Sequence, residues 1–168
     1  MSYPQYSPPQ TPQQTQPQTL QSGEPPLWAP YYGAPFPAAV KRFFAKYSTF
    51  SGRASRSEYW WWALVSCVVY MVIGFLTLVL GASGSTVGSD GTRVPGPGAT
   101  IMLVLILVWY VAVLVPSLAL TVRRLHDINF SGWMLLLGLV PFVGPIILLV
   151  FTVLESKPEG HRFDQPGK

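Results

Sequence analysis

Charge is what this chain has least of. Only 11% of its residues are Asp, Glu, Lys or Arg, against 49% that are hydrophobic, and three stretches, 59–80, 101–122 and 133–154, hold no Asp, Glu, Lys, Arg or His. Each is 22 residues long. At a helical rise of 1.5 Å per residue each reaches roughly 33 Å, enough to cross the hydrocarbon layer of a bilayer. Cysteine is nearly absent too: Cys67 is alone and falls within the first stretch, which excludes a disulfide framework and a cysteine zinc site. Residues before 40 offer no basic patch followed by a hydrophobic core, so no secretory signal is expected, and the first membrane helix should act as an uncleaved insertion signal. A transporter normally places ionisable residues inside its spans, and these spans have none. No Ser or Cys nucleophile sits in a recognised motif, and the adjacent pair His126 and Asp127 projects differently from a helix end, so catalysis is not expected. The two histidines, His126 and His161, are expected on opposite membrane faces, which leaves no converging metal ligands and no cofactor. The net charge of +4 does not point to nucleic acid, because the basic residues cluster beside apolar spans, where they orient the chain.

What is present divides into a polar tail, a membrane domain and a short polar end. Residues 1–37 contain ten prolines and seven glutamines, with Tyr3, Tyr6, Tyr31 and Tyr32 interspersed and Glu24 as the only charge. Such a segment buries too little apolar surface to offset its ordering entropy and is expected to be disordered, either a solvated tail or a recruitment tail for a soluble partner or a second copy. In 40–47, Val40, Phe43, Phe44 and Tyr47 recur at helical spacing with Lys41, Arg42 and Lys46 between them, the pattern of a short amphipathic helix lying on the bilayer surface. Ser55 and Glu58 have the spacing of a capping box and predict a helix start at or near Ser55. Tyr59 to Trp62 then supply an aromatic belt at headgroup level.

The glycine-, serine- and proline-rich segment 81–99 reads as an exposed loop. Pro116, late in the second span, predicts a kink or a carbonyl freed for a neighbouring helix. The third span carries Pro141 and Pro145, which predict a marked bend near mid-membrane; a re-entrant hairpin is the competitor, disfavoured because arms of eight or nine residues could not cross. The membrane domain thus covers 38–155, with a mobile polar tail over 156–168. Lys41, Arg42, Lys46, Arg53, Arg56, Arg123 and Arg124 fall on one side, and Arg93, Lys157, Arg162 and Lys168 on the other. The positive-inside rule then sets the amino terminus in the cytoplasm and the carboxyl terminus outside.

The sequence from Gly52 to Trp61, Gly-Arg-Ala-Ser-Arg-Ser-Glu-Tyr-Trp-Trp, is followed two spans later by Pro116 to Asp127, Pro-Ser-Leu-Ala-Leu-Thr-Val-Arg-Arg-Leu-His-Asp, and then by Ser131-Gly132-Trp133. These paired motifs closely resemble a family of small bacterial inner-membrane proteins, domain of unknown function 805, over roughly residues 40–155. The resemblance implies an all-α integral membrane fold of a few helices and no established activity, substrate or cofactor. Family members often close with a Gly-x-Asn-Arg-Tyr-Gly type segment; here Gly160-His161-Arg162-Phe163-Asp164 stands instead.

Two motifs are thereby expected on one membrane face: Arg53, Arg56 and Glu58 where the first span begins, and Arg123, Arg124, His126 and Asp127 where the second ends. An arginine near the bilayer centre costs at least about 2.5 kcal/mol, so Arg123 and Arg124 oblige the second helix to surface there. Four arginines beside an anionic leaflet suit phosphate. The expectation is a cytoplasmic-face cluster for an anionic phospholipid headgroup, with Glu58 and Asp127 orienting the arginines; the plainer alternative is that these residues cap helices and pair with one another. The expected role is a binding or scaffolding component with membrane lipids as partners, the alternative being a subunit of an oligomeric transporter or channel.

Overall fold

The computed structural model describes residues 23–80 and 83–164. It is mostly helical: α1 (Phe36–Ala45), α2 (Arg56–Leu80), α3 (Pro97–Asp127) and α4 (Val143–Val153), with 3₁₀ helices at Gly132–Leu139 and Pro158–Phe163. The 81–99 loop contains a small antiparallel hairpin, β1 (Thr86–Val87) with β2 (Arg93–Val94), closed by Asp90 accepting from the Thr92 amide and hydroxyl.

The helix start at Ser55 is as the capping box requires. The Glu58 carboxylate accepts from the Ser55 amide at 2.9 Å and the Ser55 hydroxyl accepts from the Glu58 amide at 3.2 Å, so two amides that the helix leaves open are satisfied reciprocally. Helices α2 and α3 are long and apolar enough to cross a membrane and run antiparallel. Gly98 sits so close to the Leu80 carbonyl that a Cβ would stand 2.1 Å from it, while at the opposite end the Ala54 amide donates to the Arg123 carbonyl at 3.0 Å. Their outer halves expose most of their apolar side chains, Phe75, Leu78, Leu103 and Leu107 among them.

Pro116 lies buried inside an uninterrupted α3. Having no N–H, it leaves the carbonyl of Ala112 without its helical donor, and the Tyr47 hydroxyl donates to that oxygen at 2.8 Å. The freed carbonyl therefore ties α1 to α3. Phe43 of α1 stacks on Trp62 of α2, ring centroids 3.4 Å apart, and the pair packs with Val113, Leu120 and Ala54 as the core.

Three expectations are corrected. The stretch 133–154 is not one bent span. It is a hairpin: the 3₁₀ arm Gly132–Leu139 and α4 pack on each other, and Phe142 turns the chain at φ 62°. A Cβ on Gly144 would lie 1.9 Å from the Leu137 carbonyl, so only glycine allows this reversal. Both ends of the hairpin return to the last turns of α3. Gly132 packs on Val122 and His126, and the Lys157 amide donates to the Asp127 carbonyl at 2.8 Å. The chain after the hairpin is consequently at the same end as α1. Over 156–164 it is also no loose tail, since the Gly52 amide donates to the Phe163 carbonyl at 2.9 Å. Finally, the proline-rich segment is packed over 23–37, because its carbonyls meet buried donors: Arg42 donates to the carbonyls of Pro25, Pro26 and Ala29. The disorder and recruitment expected of residues 1–22 lie outside the described residues.

Candidate functional site

The polar groups converge where α1, the N-termini of α2 and of its preceding loop, the C-terminus of α3 and the chain after α4 meet. All seven residues singled out by sequence, Arg53, Arg56, Glu58, Arg123, Arg124, His126 and Asp127, stand at this end. They divide into two buried clusters and one exposed arginine.

The first cluster centres on Asp127, wholly buried at the end of α3. One carboxylate oxygen accepts from Arg124 Nη1 at 2.5 Å and from the Ser156 hydroxyl; the other accepts from the Tyr32 hydroxyl at 2.8 Å. Arg124 also donates from Nε to the Thr152 carbonyl at 3.1 Å and from Nη2 to the Leu154 carbonyl. It thus caps the last turn of α4, whose final carbonyls have no helical donor, and clips the hairpin to α3. Arg53 forms a fork with Asp164, Nε to Oδ1 at 2.9 Å and Nη2 to Oδ2 at 2.8 Å, and reaches Tyr32 and Asp127 with Nη1, 3.2 and 3.8 Å away. Burial, with the Asp127 charge beside it, pushes the Tyr32 hydroxyl up to about 12. His126 stacks on Phe163 with ring centroids 4.0 Å apart. Its Nδ1 is 3.0 Å from the Gly52 carbonyl, which can only accept, so that nitrogen carries the proton. His161 is not on an opposite face, because the hairpin returns the chain; its Nδ1 lies 3.0 Å from Arg53.

The second cluster centres on Glu58. Arg42 Nε donates to Glu58 Oε1 at 2.7 Å, and Lys46 Nζ lies 3.7 Å from the same oxygen. Arg42 and Lys46 are buried, and of the three basic residues set between the apolar positions Lys41 alone is exposed. Helix α1 turns Ala39, Arg42 and Phe43 inward and Lys46 just after it is buried too, while Phe44 and Tyr47 are exposed. Burial, reinforced by Arg42 and Arg123 and opposed by Glu58, brings the Lys46 ammonium down to about 8. Arg123 is 2% exposed and donates from Nε to the Ala119 carbonyl at 3.2 Å, one turn back; its Nη2 has no partner among the described residues.

Arg56 is different. Its side chain is 48% exposed, 3.8 Å from an exposed Glu155. Around it opens a hollow of about 460 Å³, lined by Tyr32, Gly33, Ser55, Ser57, Glu155 and Ser156. On the far side of Ser57 a groove of about 270 Å³ runs along Trp60, Trp61 and Leu64. A polar hollow leading into an aromatic groove can hold a molecule with an anionic head and an apolar tail.

These motifs lie in a segment that matches a known family model. Residues 47–165 match the family described as protein of unknown function DUF805. The chain belongs to this family. It is 34% identical over 122 residues to the inner membrane protein YhaI of Escherichia coli K12, covering 73% of this chain and 88% of that one. Inner membrane protein YhaH of the same strain is 36% identical over 122 residues, with 73% and 89% covered. No solved structure matches. The matched segment takes in every residue of the Asp127 cluster except Tyr32, and it leaves out Arg42 and Lys46. Sequence reasoning missed Tyr32, Arg42, Lys46, Ser156 and Asp164; the one available signal was the scarcity of carboxylates, which leaves several cations competing for Glu58, Asp127 and Asp164.

Proposed function

We propose that this protein is an inner-membrane component that acts by binding anionic phospholipid rather than by catalysis. Helices α2 and α3 cross the bilayer, the 132–153 hairpin enters and leaves from one face, and the polar end lies at the cytoplasmic headgroup level. Support for the location comes from the length and apolar surface of the two helices and from relatives named inner membrane proteins. The observation that carries the binding reading is the hollow at Arg56, which shares Ser57 with the Trp60 and Trp61 groove. Arginine's planar fork suits a phosphodiester, the serine and tyrosine hydroxyls suit a hydroxylated headgroup, and tryptophans favour the interface between head and tail. Of the four arginines first assigned to headgroups, Arg56 is the exposed one, and Arg53 and Arg124 are committed to protein oxygens.

The test is native mass spectrometry from mild detergent after incubation with equal phosphatidylglycerol and phosphatidylethanolamine. The wild type should retain phosphatidylglycerol preferentially, and Arg56→Gln should lower that preference several-fold with no change in thermal midpoint. Equal retention by the two proteins would end this reading.

A further inference from the structure

The Glu58 cluster contains more buried positive charge than its own carboxylates balance. Arg42, Lys46 and Arg123 are each at most 3% exposed, and they gather about one buried carboxylate, Glu58. Glu24 approaches Arg42 from the rim at 3.4 Å but also faces Lys41 at 3.8 Å. No other acid pairs with these three cations among the described residues. Burying a cation unpaired is expensive, and the surplus is visible at two places. Arg123 leaves Nη2 without an acceptor among the described residues although it is sealed from solvent. Lys46 shares the Glu58 oxygen at 3.7 Å with Arg42, and burial above all, with Arg42 and Arg123 adding to it, pulls its ammonium toward neutrality.

The missing negative charge has somewhere to sit. Lys46 is part of the wall of a pocket of about 170 Å³, with Thr49, Ser51 and Gly52 on its polar side and Leu27, Trp28 and Ala45 completing it. A water needs only about 10–15 Å³ of such space, so a tetrahedral oxyanion fits. The hydroxyls of Thr49 and Ser51 form no hydrogen bond to the described protein groups and are available as donors. Arg123 is not in the wall and acts through its charge.

We propose that this pocket binds a phosphate-class oxyanion, held by Lys46, Thr49 and Ser51 and stabilised by the unbalanced charge of Arg42 and Arg123. The pocket is separate from the Arg56 hollow and shares no lining residue with it, so the site stands whether or not Arg56 binds lipid. The anion is either free phosphate or the phosphate of a lipid headgroup, and the experiment has an arm for each.

The full chain in dodecylmaltoside is titrated with inorganic phosphate at constant ionic strength, with chloride as the control, and thermal midpoint is followed. In parallel, the chain in nanodiscs of phosphatidylglycerol or phosphatidylcholine is compared without phosphate. Free phosphate as the ligand predicts a saturable rise in the first arm; a headgroup predicts a rise with phosphatidylglycerol alone. In either case Lys46→Met, which folds without the burden of a buried ammonium, should weaken the apparent affinity at least tenfold. Arg56→Gln should leave the response unchanged in the phosphate arm, which separates this site from the phospholipid reading. Ser51→Ala serves as a milder variant that keeps every charge, and it should weaken the response several-fold. If neither phosphate nor phosphatidylglycerol distinguishes wild type from Lys46→Met, the pocket is not an anion site.

Discussion

At the scale of single residues, the buried cap is a place where titration reports on folding. Lys46 has its ammonium lowered from 10.5 to about 8. A group whose folded value is depressed contributes stability that is complete above the unfolded value and is lost as pH falls through the folded one. In the absence of a bound anion, stability should therefore rise from about pH 8 toward pH 10. Tyr32 works in the opposite sense. Its hydroxyl is raised from 10.0 to about 12, so its contribution is complete below pH 10 and fades as pH climbs toward 12. Thermal midpoints in detergent should accordingly pass through a maximum near pH 10. Lys46→Met should remove the rising limb and stabilise the protein at pH 7 by about 3 kcal/mol, from 1.36 kcal/mol per unit over the shift of Lys46. A profile that keeps its rising limb in Lys46→Met would show that the limb has another source. Tyr32→Phe should remove the falling limb alone.

At the scale of elements, the proline of α3 and the end of α1 form a two-part device that can be taken apart. Pro116 withholds a donor from the Ala112 carbonyl, and Tyr47 supplies one from another helix. In the wild type, Tyr47→Phe should cost about 0.5–1.5 kcal/mol, the net worth of one hydrogen bond. In a Pro116→Ala background residue 116 regains its N–H and satisfies Ala112 from within α3, so the same tyrosine change should cost almost nothing. The double-mutant cycle then yields a coupling close to the whole single-mutant value; additive effects would disprove the pairing. The sequence makes this device half legible. Pro116 announces a spare carbonyl, and the start of α2 is announced by Ser55 and Glu58, since both depend on spacing along one segment. The orientation of α1 is not announced. The spacing groups Val40, Phe43, Phe44 and Tyr47 on one face toward the bilayer, yet Phe43 is buried along with Ala39, Arg42 and the adjoining Lys46, because Glu58 and three carbonyls of the preceding segment lie on that side. These acceptors are brought together by tertiary structure, which no periodicity within α1 can reveal. The same limit hid Asp164 and Ser156, which become partners of Arg53 and Asp127 only after the chain has turned back.

At the scale of the whole molecule, the decisive difference is the hairpin. Hydropathy and the absence of charge mark 133–154 as a span, and arms of eight or nine residues are too short to cross a bilayer. That argument holds for crossing, and a re-entrant hairpin does not cross. What turns the chain is local: Pro141 has no donor to continue the first arm, Phe142 takes a positive φ, and Gly144 admits the Leu137 carbonyl. What fixes the return is distant, since Arg124 supplies donors to Thr152 and Leu154. The charge distribution follows from this reversal. Lys157 and Arg162 join the seven basic residues already at the polar end, and among the described residues Arg93 is left alone at the other. With α2 and α3 as the two proposed crossings, the positive-inside rule would be obeyed more strictly than with three. A reporter fused after Lys168 should be cytoplasmic, and one inserted at Ser89 in the short hairpin should be periplasmic. Arg124→Leu removes the donors that hold the returning arm and should let a fraction of molecules carry the carboxyl terminus across, measured as periplasmic reporter activity that the wild type lacks. A wild-type carboxyl terminus found in the periplasm would restore the three-span arrangement and would require the Arg53–Asp164 fork, both of whose contacts are within 2.9 Å, to be broken.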